Sequence, residues 1–137
     1  MLRKYSRTGD SIVSLFEKTA QRYPNKQALI LVDGKAWTFQ EMHEYSKQIA
    51  SFLLEEGYRP GDTIALFMES RPEMVCWWLA MAMVSIVPAL INFNLRKEAL
   101  AHCINVAACK AVVYGTEMVE GRSMYVLVHV YYINLGQ

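Results

Sequence analysis

From Met74 to Leu95 the sequence carries no charged residue. A run of this length either crosses a bilayer as one helix or lies inside a protein core. Pro88 falls within it, Ser85 interrupts it, and Asn92 and Asn94 sit at its end. These residues divide the run into a helix, Arg71 to about Val84, and a strand, Ile86 to Ile91. The core reading is therefore expected over the transmembrane one. Strands of parallel sheets and the helices that cover them are apolar throughout because both sides are buried.

The neighbouring segments extend this unit. Thr63 to Met68 reads as a short apolar strand. Ser70-Arg71-Pro72-Glu73 has the capping-box pattern, with proline in the first turn, where its missing N–H costs nothing. Asn94 is placed to cap a helix running to about Ala107, with Leu100, Cys103, Ile104 and Ala107 on one face. Ala111 to Tyr114 is a further strand. Three strands joined by two helical crossovers lie parallel, with right-handed connections.

The first sixty residues prepare for this sheet. Asp10 can cap a helix from Ser11 to Tyr23, in which Ile12, Phe16 and Ala20 form the apolar face; Pro24 ends it. Gln27 to Val32 and Lys35 to Thr38 read as a hairpin about Asp33-Gly34. Thr38-Phe39-Gln40-Glu41 is a second capping box, opening a helix with the stripe Met42, Tyr45, Ile49, Phe52 and Leu53. Gly57 is placed to end it in the left-handed conformation, and Pro60-Gly61-Asp62 is a turn. The expected fold class is α/β: an N-terminal β-hairpin and helices, then a partial parallel βαβαβ sheet. Residues 1–10 are expected to be a flexible terminus. After Gly115 the pattern breaks, and Met124 to Leu135 reads as one long strand or as a sequence unrelated to the rest.

The chain has 137 residues, one domain's worth, and a net charge of +1, so nothing calls for nucleic acid. Arg3, Lys4 and Arg7 read as a solvated terminus or a weak lipid-headgroup contact, and no apolar run follows them to make a signal peptide. Cys76, Cys103 and Cys109 are an odd number with no close pair, which fits buried thiols in a reducing, cytosol-facing setting.

Chemistry is sparse. A βαβαβ unit invites a nucleotide, yet neither GxGxxG nor GxxxxGK[ST] occurs. Where a phosphate would approach the first strand, the chain reads Glu69-Ser70-Arg71-Pro72: no glycine, one carboxylate, and one residue without an amide proton. His43, His102 and His129 have no partners at metal-binding spacing. His43 lies on the polar side of its helix, where it is expected to face solvent. His102 and Cys103 are adjacent and so point to different sides of a helix, which disfavours a nucleophile–base pair. Met68, Met74, Met81 and Met83, with Trp77 and Trp78, suit either core packing or the wall of a lipid pocket. Arg96 and Lys97 put positive charge at a helix start, against the dipole. Arg96 then either pairs with a carboxylate elsewhere or ends a solvated loop. The residues assign no catalytic, cofactor-binding or metal-binding group.

A longer pattern carries more. Val87-Pro88-Ala89-Leu90-Ile91-Asn92-Phe93-Asn94-Leu95-Arg96, followed by Leu100-Ala101-His102-Cys103, resembles the fatty acid transport protein family, the very-long-chain acyl-CoA synthetases among adenylate-forming (AMP-binding) enzymes. The family shows A-L-I-N-x-N-L-R and then L-x-H-C. Here Asn92, Asn94, Leu95, Arg96, His102 and Cys103 stand at those positions. Trp37-Thr38-Phe39, the Gly61-Asp62 turn before Ala65 to Glu69, Pro72-Glu73 and Gly115-Thr116-Glu117-Met118 match as well. The likeness covers Ser11 to Met118, so 11–118 is expected to be part of an AMP-binding domain and 119–137 a divergent tail. The helix after Pro72-Glu73 departs from the family pattern, with Ala80, Met81, Ala82 and Met83 where glycines and a lysine are usual.

The resemblance implies an enzyme that joins a fatty acid to ATP as an acyl-adenylate and then passes the acyl group to coenzyme A, with magnesium assisting. It implies membrane association, at the endoplasmic reticulum or plasma membrane, and a link to fatty acid uptake. It also implies that the Ser/Thr/Gly-rich phosphate segment, the adenine and ribose contacts and the C-terminal lid lie beyond these residues. The family's N-terminal membrane segment is likewise not among them. This chain by itself is therefore expected to bind none of these cofactors and to be inactive. The alternatives are an interaction module that associates with a full-length synthetase or a membrane, and a truncated product without function.

Overall fold

The computed structural model describes residues 9–115 and the backbone of 128–132. Most of the expected flexible terminus, and most of the stretch after Gly115, lie outside the described residues. Helix α1 (Ile12–Arg22) is capped by Ser11, whose hydroxyl accepts the Ser14 N–H at 3.1 Å. Asp10 is not the cap: its carboxylate takes the Lys18 ammonium and the Ser14 hydroxyl instead. Ser11 is the residue whose side chain reaches the third helical amide, so it displaces its neighbour from that role.

Strands β1 (Gln27–Ile30) and β2 (Ala36–Thr38) form an antiparallel pair. They are shorter than the expected hairpin. The Leu31 N–H makes a last cross-strand bond to the Lys35 carbonyl at 2.7 Å, and the Gly34 N–H turns back onto the Leu31 carbonyl at 3.0 Å, so the chain turns between Leu31 and Gly34. Gly34 supplies the positive φ (+85°) that the turn needs.

Helix α2 (Phe39–Glu55) begins with both halves of the expected capping box. The Glu41 N–H donates to Thr38 Oγ1 at 3.2 Å, and the Thr38 N–H donates to the Glu41 carboxylate at 2.7 Å. Its end is a Schellman motif. Gly57, at φ +86°, donates to the Leu54 carbonyl, and the Tyr58 N–H reaches the Leu53 carbonyl at 3.1 Å. Leu53 and Tyr58 are both buried in the core, the apolar contact that accompanies this motif.

The sheet follows as β3 (Thr63–Phe67), α3 (Pro72–Met83), β4 (Val87–Leu90), α4 (Lys97–Val106), β5 (Ala111–Gly115) and β6 (Val128–Tyr132). Its order is β4-β3-β5-β6. Strands β4 and β5 both run parallel to β3, with Leu66 level with Leu90 on one side and Val113 on the other. Strand β6 adds antiparallel to β5. The part of Met124 to Leu135 that is described is thus a strand.

Two helix starts differ from expectation. Helix α3 begins one residue later than a Ser70 cap requires, with Arg71 as N-cap and no side-chain cap bond. Glu73 then falls at the second helical position, where it cannot close a capping box. Helix α4 starts at Lys97 with Arg96 as N-cap, because Asn94 is taken up in the preceding turn.

Helices α2 and α3 cover one face of the sheet. Leu53, Met81, Ile64, Leu66 and Val113 are fully buried there, joined by Cys76, Trp77 and Leu79. The uncharged run is therefore a core helix followed by a sheet strand. Among the described residues no helix is long and apolar enough to cross a membrane. Helix α4 is different, since none of its residues is fully buried.

Candidate functional site

The signature residues lie where the chain leaves the C-terminal end of β4. Ile91 is held to the sheet by its N–H on the Leu66 carbonyl at 3.0 Å. The Asn92 side chain then accepts the Asn94 N–H at 3.0 Å, and the Asn92 carbonyl accepts the Leu95 N–H at 3.0 Å. Asn92 thus folds the loop as its side chain mimics one turn of backbone. Arg96 closes it: its guanidinium donates to the Phe93 carbonyl at 2.6 Å and to the Leu95 carbonyl at 2.8 Å. Those carbonyls need donors, and a guanidinium can serve two at once. The charge at the helix start is therefore a brace for the loop. Lys97 takes the left-handed backbone, φ +48°, where the loop turns into α4.

His102 and Cys103 do not join this loop in a site. His102 is exposed on α4 and Cys103 is partly buried. The loop positions Asn92, Asn94, Leu95 and Arg96 are a turn, and the two helical positions belong to α4. Among the described residues no cluster of His, Cys, Asp and Glu could hold a metal ion. His43 is not the solvated residue expected. It packs edge-on to Phe16 and stands 3.9 Å from Glu17, tying α2 to α1.

The thiols of Cys76 and Cys109 are shielded in place. Cys76 is fully buried, and burial pushes its pKa up to about 11, with the nearby Ser46 hydroxyl pulling the other way. Burial also raises Cys109. A thiol kept protonated is neither nucleophile nor metal ligand.

A groove of about 340 Å³ lies between the hairpin and the first turn of α3. Leu29, Ile30, Val32, Pro72, Met74 and Val75 make it largely apolar. Sequence reasoning missed it because it joins segments forty residues apart. Arg71 lines it, and Glu69 and Glu73 flank Arg71 in sequence, so the local charge does not favour an anion. A phosphate is not invited at the C-terminal end of β3 either. Pro72 lacks an N–H, and the Met74 N–H is already spent on the Arg71 carbonyl. The arrangement is a set of packed supports.

Residues 16–130 match the family model described as AMP-binding enzyme. The chain belongs to the AMP-binding enzyme family. Long-chain fatty acid transport protein 1 of Rattus norvegicus is 45% identical over 118 residues, 85% of this chain and 18% of that protein. The Homo sapiens protein of that name is 40% identical over 119 residues, 86% of this chain and 18% of the relative. Long-chain fatty acid transport protein 6 of Homo sapiens is 32% identical over 120 residues, 85% of this chain and 19% of the relative. The chain therefore spans under a fifth of the length of these relatives. A putative long-chain-fatty-acid CoA ligase from Rhodopseudomonas palustris superposes with a TM-score of 0.72 at 25% identity, over 79% of this chain and 27% of that one. The Klebsiella oxytoca NpsA N-terminal subdomain, in complex with 3-hydroxybenzoyl-AMSN, superposes at 0.73 with 24% identity, over 85% of this chain and 30% of its own. The hairpin and the partial parallel sheet are thus an N-terminal portion of the adenylate-forming fold, and the resemblance to the fatty acid transport proteins holds over most of the chain.

Proposed function

We propose that this chain is the N-terminal scaffold region of a ligase that activates long-chain or very-long-chain fatty acids. In that reaction the carboxylate attacks ATP to give an acyl-adenylate and pyrophosphate, and the thiol of coenzyme A then displaces AMP. Magnesium neutralises the phosphates. The observation that carries this reading is the 45% identity to long-chain fatty acid transport protein 1 across 85% of the chain. Activity at a cytosol-facing membrane surface, in the service of fatty acid uptake, belongs to the same proposal.

The role proposed for these residues is support. Strands β3, β4 and β5 set the sheet, and Asn92 and Arg96 fix the loop that leaves it. The 137-residue chain on its own binds no nucleotide, because its strand ends present Glu69 and Pro72 where phosphate binding needs free amides. A chimera tests the reading. Residues 16–118 replace the matching stretch of the Rattus norvegicus protein, and acyl-CoA synthesis from oleate, ATP and coenzyme A is measured. Retained synthesis supports the scaffold role. A folded chimera that activates a short aromatic acid but no long-chain fatty acid refutes the substrate class.

A further inference from the structure

The C-terminal end of α1 gathers positive charge around one aromatic ring. Between Glu17 and Asp33 the sequence contains no acidic residue, and Lys18, Arg22 and Lys26 fall in that interval. Lys18 is taken by Asp10. Arg22 and Lys26 are exposed, and among the described residues neither has a carboxylate partner. Both lie over the ring of Tyr23, the Arg22 guanidinium carbon at 5.3 Å from its centre and the Lys26 ammonium at 5.7 Å. Tyr23 is itself 46% exposed. Its backbone is fixed on both sides: its N–H donates to the Thr19 carbonyl at 2.9 Å, and its carbonyl accepts the Lys26 N–H at 3.1 Å. The three side chains are therefore one surface by contact.

The helix dipole favours a cation in the last turn, which accounts for Arg22 but not for Lys26, which follows the helix. A tyrosine with an apolar body and a polar tip suits the headgroup level of a bilayer, and exposed lysine and arginine are drawn to anionic headgroups. An acidic peptide is read by clustered arginines or by a groove, and one arginine on an exposed corner supplies neither. We propose that Arg22, Tyr23 and Lys26 form a contact for the anionic headgroups of a lipid bilayer, with the two cations at the phosphates and the tyrosine ring at the interface. The net charge of the chain, +1, is too small for a general attraction, so the contact is local. The inference rests on the membrane-surface part of the function proposed above and names residues that meet that surface.

The test sediments the full 137-residue chain with vesicles of phosphatidylcholine alone, and with vesicles containing about 30% phosphatidylserine, at about 0.1 M salt. The expected result is stronger partition onto the anionic vesicles, falling as salt rises. Arg22→Gln with Lys26→Gln lowers that partition about thirtyfold, from about fivefold per cation near a charged surface, and leaves binding to phosphatidylcholine as it was. Lys47→Gln with Lys97→Gln removes the same charge from two other exposed positions and changes partition by less than about twofold. Circular dichroism stays the same in both variants. Four outcomes overturn the proposal: no preference for phosphatidylserine, equal losses in the two double variants, a loss seen only when Arg3, Lys4 and Arg7 are replaced instead, or retention on polyglutamate that exceeds vesicle binding and needs Arg22 and Lys26, which would make the partner an acidic protein. None of these bears on acyl-CoA synthesis by the chimera, and that assay alone decides the ligase reading.

Discussion

Leu53 and Leu54 are neighbours on α2 with opposite surroundings: Leu53 is 0% exposed and Leu54 is 51% exposed. Truncating each to alanine removes the same atoms, so the difference between the two variants isolates burial. For Leu53→Ala the lost transfer energy is about 2.4 kcal/mol at ~0.8 kcal/mol per buried methylene. The cavity left between α2 and α3 raises the cost to about 3–4 kcal/mol, inside the range for buried leucines. For Leu54→Ala the buried portion is half as large and alanine is the better helix former, so the net cost is below about 1 kcal/mol. Urea unfolding of the purified chain, followed by tryptophan fluorescence, measures both. With a slope near ~2 kcal/mol/M, Leu53→Ala lowers the midpoint by about 1.5–2 M and Leu54→Ala by less than about 0.5 M. Equal shifts would refute the packing of α2 against α3 described above.

Three further outcomes follow from the same geometry. Gly57→Ala forces a side chain onto φ +86° and costs about 1–2 kcal/mol in the same unfolding assay; a neutral result would refute the Schellman end of α2. In native protein a thiol-specific reagent modifies partly buried Cys103 first, while Cys76 and Cys109 react only with unfolding; early labelling of Cys76, read by peptide mass, would contradict its burial. The Lys110 ammonium, 2.6 Å away, and then the Arg59 N–H hold the Asp62 carboxyl below its ordinary value of 3.8. Its folded value is the lower one, so its contribution to stability is complete above 3.8 and is lost as pH falls through the folded value. Asp62→Asn removes that slope from the acid side of a stability–pH curve, and an unchanged curve would count against the pair.

The parts of this fold that were legible in the sequence are those set by local rules. The Thr38 and Glu41 box, the Gly57 stop and the order of strands and helices all follow from short-range chemistry and periodicity. Splitting the uncharged run at Ser85 placed α3 and β4 correctly, because each is apolar through packing on the sheet. Helix starts were less legible, since several residues compete for one cap. Ser11 won over Asp10, and Arg96 took the position expected of Asn94, which the Asn92 turn had already used. The purpose of Arg96 could not be read from spacing, because its acceptors are backbone carbonyls that carry no sequence signal. The apolar groove was invisible for a related reason: it depends on which distant segments meet. The family pattern was legible only as a whole, from Asn92 to Cys103, since no single residue in it carries a recognisable catalytic motif.

These residues are expected to support an adenylating site without forming one. ATP–pyrophosphate exchange by the purified 137-residue chain, with magnesium and oleate, tests it most directly. The expected exchange is no greater than in the absence of protein. Exchange that rises on addition of oleate would place a working adenylation site within this chain and overturn its role as a support.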